Sequence, residues 1–531
     1  MRRDPRRDLV AGVTVAVVAL PLALAFGISS GMGAGAGLVT AVVAGAVAAI
    51  FGGSNLQVSG PTGAMTVVLV PIVAQFGAGA VPVVGLMAGL ILLVLAATGA
   101  GRSMRFLPLP VVEGFTVGIA CVIALQQVPS ALGVTASSGK VLAVAADAVQ
   151  QWLADPQWAE PAVAVMVAAV MLVGVRVRPS WPLSLPAVLV ATVLVYLGHV
   201  SIPLIGAIPS GLPAPAAPEI PWTHLGALVL PAVAVAALGA LESLLSATVA
   251  DSMTVDEHHD ADKELTGQGL ANLAVPFFGG MPATAAIART AVNVRSGARS
   301  RLASLTHAAT LLLVMLALAP LVARIPLAAL AGVLLATAFL MVEVTGLRAI
   351  VRSTRGDAVV LVLTAAATLV FDLVTAVILG LVLAGFFALR QVARSSRLDQ
   401  EPVVIDDGHG SEESALLAEH IVAYRLEGSL FFGAAHAFLL ELSEVSDVRI
   451  VILRMSRVAV LDATGASLLA DTIARLEARH ITVLLSGVRP EHEKVLTHLG
   501  VYRELAHERH VFSTTPEAIE HARAHVNHLS H

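Results

Sequence analysis

The stretch Gln57-Val58-Ser59-Gly60-Pro61-Thr62-Gly63-Ala64-Met65-Thr66 decides the fold, together with its counterpart Phe278-Gly279-Gly280-Met281-Pro282-Ala283-Thr284-Ala285. Each places Gly and Pro inside a hydrophobic run. A proline there forbids a continuous helix, because it lacks the amide and clashes with the preceding turn. Non-helical backbone at membrane depth is tolerated only where protein or water covers it. Two such breaks in corresponding halves of one membrane domain predict half-helices that meet near the midplane, the arrangement of a secondary transporter.

Composition supports the membrane reading. Hydrophobic residues make up 57% of 531 positions, charged residues 13%, and mean hydropathy is +0.85, values of an integral membrane protein. The net charge of -5 points to no partner, because the sign changes along the chain. A single cysteine, Cys121, excludes an intrachain disulfide. No cleavable leader is expected: Met1–Asp8 is charged and no small-residue cleavage site follows.

Apolar runs fall near 10–28, 36–51, 60–76, 80–99, 110–129, 160–175 and 186–205, then near 226–250, 268–278, 282–295, 302–322, 327–346, 357–371 and 373–390. A spanning helix needs about 20 residues, so the runs at 60–76, 268–278 and 282–295 read as too short to cross alone. The count is about fourteen, in two sets of about seven. An odd number per half inverts the second half relative to the first.

Basic residues test that count. Arg2, Arg3, Arg6 and Arg7 precede the first segment; Arg102 and Arg105 follow the fourth, and Arg176 and Arg178 the sixth. Arg295, Arg299 and Arg301 follow the tenth, Arg348, Arg352 and Arg355 the twelfth, and Arg390, Arg394 and Arg397 the fourteenth. All share one side if the N-terminus is cytoplasmic, which satisfies the positive-inside rule. Only Lys140 and Arg324 fall opposite.

The transport domain is therefore expected over 1–397, followed by a polar linker at 398–415 and a cytoplasmic α/β domain at 416–527. Strands are predicted at His420–Leu426, Val448–Arg454 and Ile481–Ser486. A further strand, Val458–Leu461, leads through Asp462-Ala463-Thr464-Gly465 into a helix over Ala466–Ala478, and Glu491–His498 reads as a second helix.

The membrane part resembles the SulP anion transporters, the sulfate permease group, and the C-terminal part resembles their STAS domain. The residues that carry this are Ala19-Leu20-Pro21-Leu22-Ala23-Leu24-Ala25-Phe26, Gln57–Thr62, Gly267-Gln268-Gly269-Leu270-Ala271-Asn272, Phe278–Thr284 and Ala288-Arg289-Thr290-Ala291-Val292-Asn293-Val294-Arg295-Ser296-Gly297-Ala298. The resemblance implies a multi-pass α-helical protein of seven plus seven inverted segments. It also implies a core (about 10–99 and 226–322) that moves against a gate (about 110–205 and 327–390), and a homodimer. The first-segment and Gln57–Val67 motifs look closest to the bicarbonate-transporting branch.

The chemistry also follows from the residues. Two facing helix N-termini present unpaired amides and about half a positive charge each, which favours a small anion. The substrate-binding candidates are Thr62, Gly63, Ala64 and Thr66 from the first break, and Ala283, Thr284, Ala285 and Arg289 from the second. Arg289 is placed about two turns into the second half-helix, where a cation faces a cavity or a partner; snorkelling or a structural ion pair is the blander reading. Glu242, in Ala240-Leu241-Glu242-Ser243-Leu244-Leu245-Ser246, lies mid-segment. A carboxyl group there can enter with a proton beside the anion, which gives symport a physical basis. The resemblance implies that this position carries the coupling carboxylate. Glu242 looks like the proton-coupled members, whereas the sodium-coupled bicarbonate branch carries Asp with a nearby hydroxyl. Ser246 is the second coupling-ion candidate, or a small packing residue. An ion pair between Glu242 and Arg289 is the alternative for both charges.

Other positions carry less. Glu113, Glu343 and Asp372 lie near segment ends and read as interfacial. Gly31, Gly33, Gly35 and Gly37 follow a helix, not a strand, so they read as packing glycines rather than a nucleotide fingerprint. The acidic stretch Asp251–Asp260 and the histidines from His507 to His531 read as solvated, and no metal site is expected. Thr464 matches the second Ser of the phosphorylated Asp-Ser-Ser-Gly loop of soluble STAS proteins, so it is a regulatory candidate; helix capping by Asp462 is the plainer reading.

Nothing suggests an enzyme, a resident cofactor or nucleic-acid binding. The expectation is proton-coupled uptake of sulfate, bicarbonate or a dicarboxylate across the cytoplasmic membrane. The alternatives are sodium-coupled bicarbonate symport, uncoupled exchange or conduction, and a vestigial transporter acting as a tethered signalling module. Expected partners are the anion, the bilayer, a second copy, and a regulatory protein or nucleotide at the STAS domain.

Overall fold

The computed structural model describes residues 4–102, 108–135, 140–177, 181–220, 222, 225–254, 258–371, 373–395, 420–430, 448–507 and 510–529. The linker expected at 398–415, the adjoining domain boundary, Asp372 and Val255–Glu257 lie outside these residues. The chain forms two units, residues 1–384 and 385–531.

The first unit is helical. α1 (Pro5–Ser29) starts where its chemistry allows, with Asp4 accepting from Arg7 N and Pro5 at the first position. α2 (Ala34–Phe51) packs against it through glycine: a Cβ on Gly37 would lie 2.0 Å from Ala23 O. Gly31 and Gly33, with φ of +81° and +88°, make the turn between the two. The read-out of these glycines as packing residues therefore has a local cause, close helix approach and a left-handed turn.

Then follow β1 (Ser59–Gly60), α3 (Gly63–Phe76), α4 (Ala80–Ala97), α5 (Leu109–Leu132), α6 (Val141–Ala154), α7 (Ala159–Val177) and α8 (Ser184–Leu197). The second half runs α9 (Leu225–Ser252), α10 (Ala261–Ala274) with a 3₁₀ turn Val275–Phe278, β2 (Thr284–Ala285), α11 (Ile287–Arg295), α12 (Leu302–Val322), α13 (Leu327–Met341), α14 (Val344–Ser353), α15 (Arg355–Val370) and α16 (Leu373–Ser395). Among the described residues, eight helical stretches are long and apolar enough to span a bilayer, α13 and α14 counted together.

Among the described residues, setting α6 and α14 aside leaves fourteen segments, seven per half. α6 lies between the fifth and sixth, and α14 between the twelfth and thirteenth, so even these extra helices occupy corresponding places in the two halves. Sequence reading missed α6 and took α14 (Val344–Ser353) as the end of the run at 327–346 and the basic loop that follows it. Both are amphipathic, so each dilutes an average of hydropathy.

Two further expectations are corrected. The run at 268–278 is no half-helix. α10 begins at Ala261, its charged start Ala261-Asp262-Lys263-Glu264 hidden from a hydropathy reading. Its 14 residues and the 4-residue 3₁₀ turn together reach about 30 Å. The run at 282–295 starts its helix only at Ile287, because Thr284 and Ala285 pair as a strand.

α1, α2, α4, α9, α10 and α12 pack on one another, and α5, α7, α13 and α15 form a second packed group. α3 touches both groups, lying against α9 and α5.

The second unit contains a four-stranded parallel sheet in the order β3 (Ile421–Leu430), β4 (Ile450–Leu461), β5 (Thr482–Ser486), β6 (Val511–Phe512). The separate strand expected at Val458–Leu461 is the end of β4, which stays paired with β3 through register shifts. One face of the sheet packs with α17 (Ala463–Ala478) and α18 (Pro490–His498), around Leu453, Leu469 and Ile473. The other packs with α19 (Thr515–Leu529), around Ile452, Leu484 and Ala518. Histidines read as solvated belong to this layer: His510 is buried, and its ring lies 5.5 Å from that of His521 and 6.1 Å from that of His525.

Candidate functional site

The two breaks meet. β1 and β2 pair antiparallel, Ser59 opposite Ala285 and Gly60 opposite Thr284, and Ala286 N extends the ladder by donating to Val58 O. Each two-residue strand feeds a helix, so α3 and α11 start from one small sheet with their first-turn amides unpaired inside the helix. Thr62 caps α3: its Oγ1 accepts from Met65 N.

Glu242, on α9, reaches both helix starts. Its Oε2 accepts from Thr62 Oγ1 at 2.8 Å and from Thr284 Oγ1 at 2.5 Å. One carboxylate oxygen thus joins the first break, the second break and the segment that opens the second half. α9 is fixed there by its neighbours. Gln57 Nε2 donates to Ser243 O at 2.8 Å, and Ala285 N donates to Ser243 Oγ at 3.2 Å. One turn on, Ser246 Oγ donates to Thr290 Oγ1 at 2.9 Å, the same oxygen that accepts from Val58 N.

Arg289 is the third residue of α11, in its first turn and not two turns in, because the helix starts late. It is 1% exposed, and its Nη2 donates to Pro61 O at 2.7 Å. Arg289 and Glu242 form no ion pair: Arg289 bonds to Pro61 O and Glu242 to the two threonines. The Glu242 carboxyl group therefore lies at the start of α3 and beside the strand that feeds α11.

The remaining candidates divide. Thr66 Oγ1 donates to Thr62 O at 3.1 Å, so its proton is turned to the backbone. Gly63 sits where a Cβ would come within 2.3 Å of Ile123 Cδ1 on α5 and 3.2 Å of Phe26 Cε1 on α1. Ala64 is buried. Ala283 is clamped by Asn272, whose Oδ1 accepts from Ala283 N and whose Nδ2 donates to Ala283 O, both at 2.9 Å. The amides of Ala283 and Ala285, expected to point at a ligand, are thus engaged by Asn272 and Ser243.

Sequence reasoning did not single out Gln57, Ser243, Asn272, Gln268, Asn293, Thr290 or His307 as site residues. Each is a polar side chain within or beside an apolar run, the signal that marks functional positions in membranes. Glu264 and Asp8 were missed as well. Glu264 accepts from Gly53 N and Ser54 N, and Asp8 from Arg299 N and Ser300 N, so two buried carboxylates pin two loops. Thr464 is exposed in the first turn of α17, and Asp462 Oδ1 caps that helix by accepting from Gly465 N at 2.7 Å. Among the described residues no group of His, Cys, Asp or Glu is gathered as metal ligands.

Comparison with known proteins follows this architecture. The family described as the sulfate permease family matches residues 6–364, and the STAS domain matches residues 415–518. YvdB of Bacillus subtilis, provisionally named a sulfate transporter, is 34% identical over 521 residues, 96% of each chain. The bicarbonate transporter BicA of a Picosynechococcus strain is 31% identical over 547 residues, covering 98% of this chain and 95% of its own. Murine Slc26a9, an anion transporter solved in the inward-facing state, shares the fold with a TM-score of 0.81 at 18% identity, over 99% of this chain and 92% of its own.

Proposed function

The chain belongs to the sulfate permease family, and from that premise we propose that it takes up a small anion (sulfate, bicarbonate or a dicarboxylate) together with a proton. The observation that carries this is the Glu242 oxygen shared by Thr62 and Thr284. An anion attracted to the helix N-termini and Arg289 competes with the ionised carboxylate; protonating Glu242 removes that repulsion and frees the threonine hydroxyls to donate to the anion. Anion and proton then bind as a unit of reduced charge. The packed group around α1 carries them past the group around α5 by alternating access.

A second reading is sodium-coupled bicarbonate uptake. It is supported by the similarity to a bicarbonate transporter and by the clustered oxygens of Glu242, Thr62 and Thr284, hard ligands that suit a small cation. In either reading the protein lies in the cytoplasmic membrane with its N-terminus and STAS domain in the cytoplasm, which the positive-inside pattern supports. The working form is a homodimer, and Thr464 is a candidate for phosphorylation or for contact with a regulatory protein or nucleotide.

The test is uptake of labelled sulfate, bicarbonate and fumarate into proteoliposomes under imposed proton or sodium gradients. Proton-driven accumulation of one anion, lost in Glu242→Gln, supports the first reading; sodium-driven bicarbonate uptake replaces it with the second. Transport indifferent to both gradients overturns both.

A further inference from the structure

Behind the strand pair lies a set of buried polar side chains that Glu242 does not use. Gln57, Gln268, Arg289, Asn293 and His307 are each 6% exposed or less. Gln57 belongs to the segment Leu56–Pro61, and Gln268, Arg289 and Asn293 bond to it. Asn293 Nδ2 donates to Leu56 O, Gln268 Nε2 to Ser59 Oγ, and Arg289 Nη2 to Pro61 O. One turn before His307, Ser304 Oγ donates to Gln57 O. The His307 ring and Ser59 O both border Gly45, 3.8 and 3.4 Å from the place its Cβ would occupy. Arg289 Nη1 lies 2.6 Å from the corresponding point on Gly60, which is also 3.3 Å from Ala41 Cα, one turn from Gly45 on α2.

Within this set, Gln57 Oε1, Gln268 Oε1, Asn293 Oδ1, Arg289 Nη1 and both ring nitrogens of His307 have no protein partner. The amide orientations are fixed, because each amide nitrogen already donates to an oxygen, so the oxygens are the ends left over. Leaving so many buried polar atoms unmade is costly. Their chemistry identifies what completes them. An anion would meet three amide oxygens, and a cation would meet a guanidinium. Water both donates and accepts, and a buried water makes about three such bonds.

We propose that these residues form a hydrated socket in which internal waters, anchored by His307, Gln57 and Asn293, complete the hydrogen bonding of Arg289. This rests on the reading that Arg289 supplies positive potential to the anion. His307 is then a positioning residue. It acts on the anion only through the guanidinium, holding that charge behind the strand pair instead of letting it swing towards Glu242 and form an ion pair that would neutralise the site. The socket is needed because Pro61 O satisfies only one arm of the fork.

Two measurements on the full-length protein test this. The first is a cryo-electron microscopy map in nanodiscs that shows ordered water; the expected result is water density bonded to Arg289 Nη1 and to His307. Direct protein contacts at both atoms, with no water, would overturn the socket. The second is uptake kinetics of labelled sulfate and bicarbonate. His307→Phe is expected to raise KM about tenfold with a smaller change in kcat, and His307→Gln to restore KM, because it returns a donor and an acceptor. An unchanged KM in a folded His307→Phe protein overturns the positioning role, as does an equal loss in both variants. If the Phe variant does not fold, the map and the Gln variant decide. Arg289→Ala separates the two claims: normal KM there removes Arg289 from the anion site, while water density would still show the socket.

Discussion

Thr62 and Thr284, from the two inverted halves of the chain, donate their hydroxyl protons to the same oxygen, Glu242 Oε2. Thr62 caps α3 and still gives its proton to α9, while Thr284 gives its proton from the strand that precedes α11. The state of a single carboxyl group is thereby reported to both halves at once.

Glu242→Gln is expected to keep the fold, since the amide oxygen still accepts from both threonines. It should abolish accumulation driven by a proton gradient while leaving exchange of labelled for unlabelled anion within a few-fold of wild type. Comparing the two assays in the same proteoliposomes checks this. Equal loss in both assays would point to a structural role.

Thr284→Val removes one hydroxyl and leaves Glu242 with one donor; Thr284→Ser restores it. Transport is expected to fall at least tenfold in the Val variant and to recover to within about threefold of wild type in the Ser variant, a loss of about 1.5–3 kcal/mol for a bond to a charged group. Initial uptake rates normalised to reconstituted protein test it.

Gly60→Ala inserts a Cβ 2.6 Å from Arg289 Nη1 and 3.3 Å from Ala41 Cα. The first atom is the end of a long side chain and the second is backbone, so the guanidinium yields first. Anion affinity is expected to drop about tenfold or more, with a destabilisation of about 1–3 kcal/mol. Thermal unfolding in detergent, read beside uptake KM, separates the two effects.

His510 lies outside the membrane. Burial, with the neighbouring charges of His521, His525 and His507, holds its imidazole well below the ordinary value, at about 4. Folded His510 therefore resists protonation that the unfolded chain accepts near pH 6.5, and the STAS domain loses stability as pH falls from about 6.5 towards 4. The loss is expected to be about 1–2 kcal/mol after allowance for solvent. Hydrogen exchange across α19, corrected for the intrinsic pH dependence, measures it. His510→Phe should flatten the profile.

Much of this architecture is legible in the amino-acid order because the bilayer imposes a length and a side. Hydropathy located most of the spans. The Gly-Pro breaks marked where helices stop, and the buried Glu242 and Arg289 stood out as charges among apolar neighbours. The pairing of β1 with β2 was not legible, since two-residue strands carry no periodicity and their partners lie far apart in sequence. That pairing delays α11 to Ile287, so it also misplaced Arg289 by about a turn. His307 escaped notice because a single polar residue hardly dents the apolar run 302–322. α6 and α14 escaped because they are short and amphipathic, so their apolar faces hardly raise an average.

The ladder of β1 and β2 sets a fixed gauge. Backbone hydrogen bonds hold adjacent strands about 4.8 Å apart, so the two helix starts they feed cannot widen or narrow independently as the protein cycles. The opening between them behaves like a pair of callipers locked at one width. On the proposed reading, that setting would tell anions of different size apart before any segment slides, and a change of selectivity is expected from substitutions that reset the strands, not from those that alter the sliding surfaces.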